Sequence, residues 1–454
     1  MFKHRKPAIA LALAALGAAT ALSPATSQTP GVPALVVDYE PPTRIERYKV
    51  TDFGSSASSK DDRTSKEKFL VAERTGNCCE NYLTTSSSGR LFDLGGRYIN
   101  FTDDNGRTWK QVQTVNPLVN GEGTLAMGPG GDVLAVEWDP YSGDHLMAYK
   151  YDAAVESWTY LESPLHTPFY DRPWMSVVPG PFTTALGDVE YVTFVDGFPH
   201  SGAFLMSTDG LTYAQASSPF VDDDLEDPVE GWIRTKPNPN LDWGQPNSNS
   251  PIIPLGGGRA LAPPASFGAG WSILNPETLR WSPFSLPKGE LSGRMQVDSE
   301  GRIHNFIPGA QGFLYRISSD GGRSWKDLSV TLPKSFSNAG NGLHVDFRAN
   351  AKVGLAAVAL HGRNGLTQAT ADIVYTIDIT KNTPKLVKLY EIGLADTNAS
   401  SGVGQDIRFD FETVTFFPDG RIAVSFLDST TAGVYHLAEP AGIERIGPAL
   451  AIEL

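Results

Sequence analysis

Downstream of residue 68 the chain reads as short apolar runs rich in Val, Ile, Phe and Tyr, separated by turns that carry Gly. No segment keeps its apolar residues at the 3.6-residue spacing of a helix, and many alternate apolar with polar positions, the period of a half-buried strand. The turns recur. Gly130-Gly131-Asp132-Val133, Gly187-Asp188-Val189, Gly257-Gly258-Arg259-Ala260, Glu300-Gly301-Arg302-Ile303 and Asp419-Gly420-Arg421-Ile422 each sit between two apolar runs, as hairpins with Gly at the special backbone position do. Grouping the runs gives seven units, near residues 69–115, 122–163, 172–218, 249–287, 293–334, 342–392 and 403–440, with six as the alternative count. A repeat of about 40–55 residues suits a four-stranded blade, and wrapping blades around an axis removes most exposed sheet edges. The expected fold is all-β, a β-propeller of seven four-stranded blades, or six.

In such a fold the innermost strand of each blade borders the axis, so polar residues alternating along inner strands mark candidate chemistry. Three runs stand out. Arg294, Gln296 and Asp298 alternate with Met295 and Val297; His344, Asp346 and Arg348 alternate with Val345 and Phe347. Asp406, Arg408, Asp410 and Glu412 alternate with Ile407, Phe409 and Phe411. Ionisable groups at an enclosed hub are costly unless they face a wet channel or a ligand. Two readings follow: Arg–Asp ladders that join blades, or arginines from several blades that clamp a carboxylate in their forked donors. His304 and His361 read as strand residues rather than ligands.

Two stretches, residues 101–110 (FTDDNGRTWK) and 317–327 (ISSDGGRSWKD), repeat one spelling about 216 positions apart. Thr102, Asp104, Gly106, Thr108 and Trp109 match Ser318, Asp320, Gly322, Ser324 and Trp325. A short carboxylate can accept N–H groups of its own turn, Gly tolerates positive φ, and Trp carries an apolar body into the layer below. Residues 207–213 are a one-residue-shorter relative with Tyr213 for Trp; 152–158 and 275–281 keep little more than a turn and an aromatic. This pattern resembles the Asp box, or BNR repeat, of the sialidase-like β-propellers.

The resemblance implies the propeller fold and a ligand site at its axial mouth. Enzymes of that family hold a sugar carboxylate with three arginines, use a Tyr–Glu pair as nucleophile and helper, and an Asp as acid/base. Arg294, Arg348 and Arg408 fit the arginine role by position. Arg74 and Arg172 are further candidates, because Tyr170-Asp171-Arg172-Pro173-Trp174 is similar to motifs that open inner strands in such propellers. The family's amino-terminal arginine setting with Pro is lacking, and Tyr435 falls in an outer strand of the last unit, so architecture carries over more securely than reaction. The catalytic candidates are Asp171, Asp346, Asp410, Glu412 and His344. If 69–74 is an inner strand, the loop that follows brings Cys78, Cys79 and Tyr82 to the same mouth as binding residues.

Composition narrows the setting. Lys3, Arg5 and Lys6 precede an apolar run from Ala8 to Leu22 and a small-residue stretch, the layout of a signal peptide over residues 1–27 and of a secreted or periplasmic protein. The run is about 15 residues, short of the roughly 20 that a spanning helix needs. Without those three basic residues the net charge of −14 becomes −17, which disfavours nucleic acid as a partner. Residues 28–64, rich in Pro, Ser and charge, read as an extension and linker before a propeller over 65–440, and 441–454 as a tail that could close a blade.

The two cysteines, Cys78 and Cys79, are adjacent, so in an oxidising compartment they form a vicinal disulfide, pair with another chain, or stay as free thiols. Adjacent α-carbons lie about 3.8 Å apart, below the usual disulfide range, so such a ring would be strained. Residues 219–251 break the repeat and read as a loop over one mouth. Its acidic run of Asp222, Asp223, Asp224, Glu226 and Asp227 is either a solvated turn or a calcium site; no other cofactor is indicated. No Gly-x-Ser-x-Gly, phosphate-loop or His-Glu-x-x-His motif occurs.

Three function classes remain. The leading expectation is a monomeric, exported glycoside hydrolase acting on acidic oligo- or polysaccharide at the axial mouth. The alternatives are a polysaccharide lyase acting beside a uronate, in which His344 would move the proton, and a propeller that binds glycan or protein without catalysis.

Overall fold

Strand follows strand in antiparallel meanders of four, each starting near a common axis and stepping outward. The computed structural model describes residues 31–39, 43–53, 68–73, 81–86, 88–95, 98–104, 108–112, 122–138, 146–163, 171–184, 187–198, 204–216, 228–229, 232–233, 252–262, 271–277, 280–284, 294–309, 311–334, 336–338, 345–364, 370–392, 413–418, 420–428 and 433–438. The innermost strands, in chain order, are Asn81–Thr85, Glu122–Met127, Asp171–Thr184, Ile253–Gly256, Arg294–Val297, Val345–Asn350 and Thr413–Phe416. Each contacts the next, and the last returns to the first, which closes the ring of a β-propeller.

Seven meanders form six sheets around that ring. Strand Thr43–Asp52 pairs on one side with Lys68–Glu73 and on the other with Lys385–Ile392, fusing the sixth and seventh meanders into one ten-stranded sheet. The expectation of seven blades, or six, is met by meanders and by sheets respectively. Within 219–251 the described residues add a small ribbon, Pro228–Val229 with Trp232–Ile233.

The amino-terminal part departs from expectation in two ways. Lys68–Glu73 is not an inner strand; it pairs with Gly433–Ala438 and completes the last blade from outside, so the chain's two ends lock the ring. Residues 28–64, expected to be an extension and linker, supply perimeter strands. Val32–Pro33 pairs with Ser157–Ser163 and Val36–Tyr39 with Trp109–Val112, adding fifth strands to the second and first blades. A perimeter strand needs backbone partners but no apolar inward face, which is why a polar composition there does not exclude pairing.

The apolar core is divided among the clefts between blades. Phe92, Phe101, Tyr149, Tyr151 and Trp158 fill the first cleft; Leu134, Val136, Met175, Val195 and Tyr213 fill the second. Phe306, Phe313, Tyr315, Phe347 and Tyr375 form the largest cluster, between the fifth and sixth blades. These side chains are the inward positions of the alternating runs, and each blade face is dry because its neighbour covers it.

The repeated turns pin the hairpins that feed these clefts. Asp104 Oδ1 accepts the Thr102 hydroxyl at 2.8 Å and the Thr108 N–H at 2.8 Å, while Oδ2 accepts the Thr108 hydroxyl at 2.7 Å. Asp320 repeats the set with the Ser318 hydroxyl at 2.9 Å, the Ser324 N–H at 2.9 Å and the Ser324 hydroxyl at 2.6 Å. Asp209 accepts the Ser207 hydroxyl at 2.9 Å and the N–H groups of Leu211 and Thr212 at 2.8 and 2.7 Å. Gly322 has φ of 87°, a conformation L side chains rarely adopt. Trp109 then buries itself with Leu83 and Phe417 between the first and last blades, and Trp325 packs beside Met295 and Ile303.

Candidate functional site

All seven inner strands contribute to one axial cavity of about 380 Å³. That volume lies at the small end of ligand pockets, which span roughly 300–1,000 Å³. Its ionisable lining comes from two neighbouring strands, Arg294 from the fifth blade and Asp346 and Arg348 from the sixth. Alternation places them there. Met295 and Phe347 are buried in the clefts, which turns their neighbours toward the hub.

Asp346 organises this wall. Its Oδ1 accepts Arg294 Nη1 at 3.2 Å, its Oδ2 accepts the backbone N–H of Val414 at 3.0 Å, and Arg348 Nε lies 3.8 Å from Oδ2. One carboxylate thus ties together the fifth, sixth and seventh blades. The Arg294 side chain is 11% exposed and sits over the Trp174 ring, 5.4 Å from its centroid. Arg348 is the more open cation, with its side chain 35% exposed and Asp346 beyond hydrogen-bond distance. Gln296 makes a two-way amide bridge to Ala349, donating to the backbone oxygen at 3.0 Å and accepting its N–H at 2.7 Å.

Of the residues singled out in the sequence, Arg294, Asp346 and Arg348 meet in one cavity. Asp346 is committed to hydrogen bonds from two other strands, with Arg348 at ion-pair distance, which suits holding arginines in place better than transferring protons. Tyr82 must be corrected. It is 4% exposed in the first cleft, with its ring edge-on to Trp174 at 5.6 Å, and it does not line the cavity. Asp171 and Arg172 open the third inner strand, as the motif implied. Arg74, Cys78, Cys79, His344, Arg408, Asp410 and Glu412 lie outside the described residues, as do the acidic run 222–227 and residues 1–27.

Asp298 also departs from its expected hub-facing position. It accepts Arg302 Nε at 2.8 Å, His304 Nε2 at 2.8 Å and the N–H groups of Glu300 and Arg302 at 2.9 and 3.0 Å. His304, wholly buried, passes its other nitrogen to the Tyr315 hydroxyl at 2.7 Å, and Arg302 Nη1 donates to the Ile379 carbonyl at 2.6 Å. Burial pushes the Asp298 carboxyl up, but hydrogen bonds from His304 and Arg302 outweigh it and hold the group well below the usual carboxylate range. The cluster locks the fifth blade's first hairpin onto the sixth blade. Sequence reasoning had no signal for it beyond the spacing of Asp298, Arg302 and His304 around a Gly turn.

Two more lining groups were missed. Ser176 follows the Asp171–Trp174 motif; its hydroxyl is buried and has no hydrogen-bond partner among the described residues. Thr415 sits on the last inner strand. Among the described residues no group of three His, Cys, Asp or Glu is placed to hold a metal ion, and no helix is long and apolar enough to cross a membrane.

No family model matches the chain, and no curated protein matches it. Solved structures do. A mutant of the NanB sialidase from Streptococcus pneumoniae is 13% identical, with 80% of this chain and 68% of that one covered and a TM-score of 0.36. The GH93 α-L-arabinofuranosidase of Fusarium graminearum, solved with arabinobiose, is 10% identical over 69% and 91%, with a TM-score of 0.34. The Aleuria aurantia lectin, in complex with a fucosylated GlcNAc, is 11% identical over 71% and 97%, with a TM-score of 0.35. Sialidases are thus among the propellers this chain is similar to. At such identities and scores the likeness decides nothing about activity, and the fold rests on the strand order given above.

Proposed function

We propose that this protein is an exported, glycan-active propeller of the sialidase-like kind, a glycoside hydrolase that takes a carboxylate-bearing sugar in its axial cavity. One observation carries the reading: Arg294 and Arg348, from adjacent inner strands, reach the same cavity and are braced there by Asp346. A guanidinium presents paired donors to two oxygens, so Arg348 supplies the open contact and Arg294 the buried one. Hydrolysis needs two further carboxyl groups flanking the glycosidic bond. Asp171, Asp410 and Glu412 are the candidates, each at or just ahead of the start of an inner strand. Export is supported by the sequence of residues 1–27, and the hydrogen-bonded turns at Asp104, Asp209 and Asp320 support reading them as Asp boxes.

A second reading, binding without turnover, draws on Asp346: among the described lining residues it is the sole carboxylate, and both its oxygens already accept hydrogen bonds. Incubation with sialosides and with uronate polysaccharides, followed for new reducing ends, separates the two. Arg348→Ala should lower turnover, or affinity if there is no turnover, by about 10- to 100-fold, the worth of a hydrogen bond to a charged group. Unchanged turnover and affinity in a folded Arg348→Ala protein would reject the arginine contact.

A further inference from the structure

The cavity wall is divided by chemistry. Every ionisable lining residue among the described ones comes from the fifth and sixth blades, whereas the second, third and fourth offer Ala126, Met127, Val177, Ile253 and Pro254. In ring order the second and third blades lie across the hub from the fifth and sixth. A ligand filling the cavity therefore meets the open Arg348 on one side and alkyl or thioether groups on the other, while Arg294 lies over the third blade's Trp174. A fully hydroxylated sugar would leave hydroxyls against that second wall without partners, and burying an unpaired hydroxyl is unfavourable. Ser176 is the polar group on that side, with a buried hydroxyl that no described residue engages. Closed off from solvent, that hydroxyl offers the wall no hydrogen-bond partner for a ligand.

We infer that the preferred ligand is a carboxylate-bearing glycoside with an apolar aglycone: the acid at Arg348 and the aglycone against Met127, Val177 and Pro254. This rests on the acidic-sugar reading above and narrows it. It disfavours long uronate polymers, whose every unit is polar on all sides, in favour of small glycosides of aryl or alkyl alcohols. Methionine suits such a wall, since its unbranched, polarisable side chain adapts to apolar groups of different shape.

The test uses matched phenyl and methyl glycosides of glucuronic acid and of sialic acid, with phenyl glucoside as the uncharged control, titrated calorimetrically into the full-length protein. The phenyl acid glycosides should bind at least about tenfold more tightly than the methyl ones, the scale on which apolar pockets discriminate. Val177→Thr, close in size, and Met127→Gln should each shrink that ratio severalfold; thermal unfolding confirms that both are folded. Equal binding of phenyl and methyl acid glycosides, abolished by Arg348→Ala, overturns the apolar-wall inference and keeps the acidic-sugar reading. Phenyl glucoside binding as tightly as the phenyl acids, or no binding by any acid glycoside, overturns both.

Discussion

If Asp346 braces both arginines, its charge and that of Arg294 should depend on one another in the folded protein. Asp346→Asn keeps an oxygen for the Val414 N–H but removes the countercharge 3.2 Å from Arg294. Breaking a buried pair by removing one partner costs about 3–5 kcal/mol. Arg294 borders a cavity and its side chain is 11% exposed, so water relieves part of that cost, and about 1.5–3 kcal/mol is expected, the range for a hydrogen bond to a charged group. Arg294→Met fills similar volume, loses the same bond and should cost a similar amount. Together the two should cost less than their sum by about 1–3 kcal/mol, because the second change removes a group the first has already stranded. Urea unfolding followed by tryptophan fluorescence measures this, and Trp174, beneath the Arg294 guanidinium, reports locally. Single-mutant losses that add to within about 0.5 kcal/mol would refute the bracing argument.

Two other predictions concern the scaffold. Asp298→Ala should destabilise by about 3–5 kcal/mol, since it strands the buried Arg302 guanidinium and the His304 ring; midpoint urea concentrations check it, and a loss below about 1 kcal/mol would contradict the cluster's role. Because the Asp298 carboxyl is held below its ordinary value of about 3.9, its contribution is present above that pH and fades as pH falls below it; the acid limb of stability should therefore flatten in Asp298→Asn. Asp320 is held at about 2 by the Ser324 hydroxyl and N–H and by the Ser318 hydroxyl, so a carbon-detected titration should find it ionised down to about pH 2; in Ser324→Ala the midpoint should rise toward 3.9, and no rise would sink the turn assignment.

Much of the ring was legible because its signals are local. The Asp104 and Asp320 turns, the Gly-bearing hairpins and the alternation in 294–297 and 345–348 each depend on residues a few positions apart, and each lies where those patterns place it. What escaped reading depends on partners far along the chain. An apolar run such as 68–73 spells a strand but not its rank within a blade, and its outer position follows from pairing with Gly433–Ala438 at the other end. Tyr82, expected in a loop that follows an inner strand, lies instead within the inner strand Asn81–Thr85, whose alternation turns the ring into the cleft beside Trp174. Asp346 was found, yet its donor from Val414 is a backbone N–H, which no side-chain pattern announces.

The bracing that joins blades also sets what the cavity can accept. Arg294, Arg348 and Asp346 leave one positive charge on a wall of a protein whose net charge is −14. A single carboxylate neutralises that excess; a dianion such as a phosphate monoester would add an uncompensated charge beside Asp346 and against the field of the whole chain. The same argument fixes how far the site can be altered. Making Asp346 neutral would raise the excess to two charges and should widen acceptance toward dianions, even as the sixth blade loses its ion pair with Arg294 of the fifth. Charge selectivity and ring cohesion would therefore share one side chain, Asp346, which pairs with Arg294 of one neighbouring blade and accepts the Val414 N–H of the other.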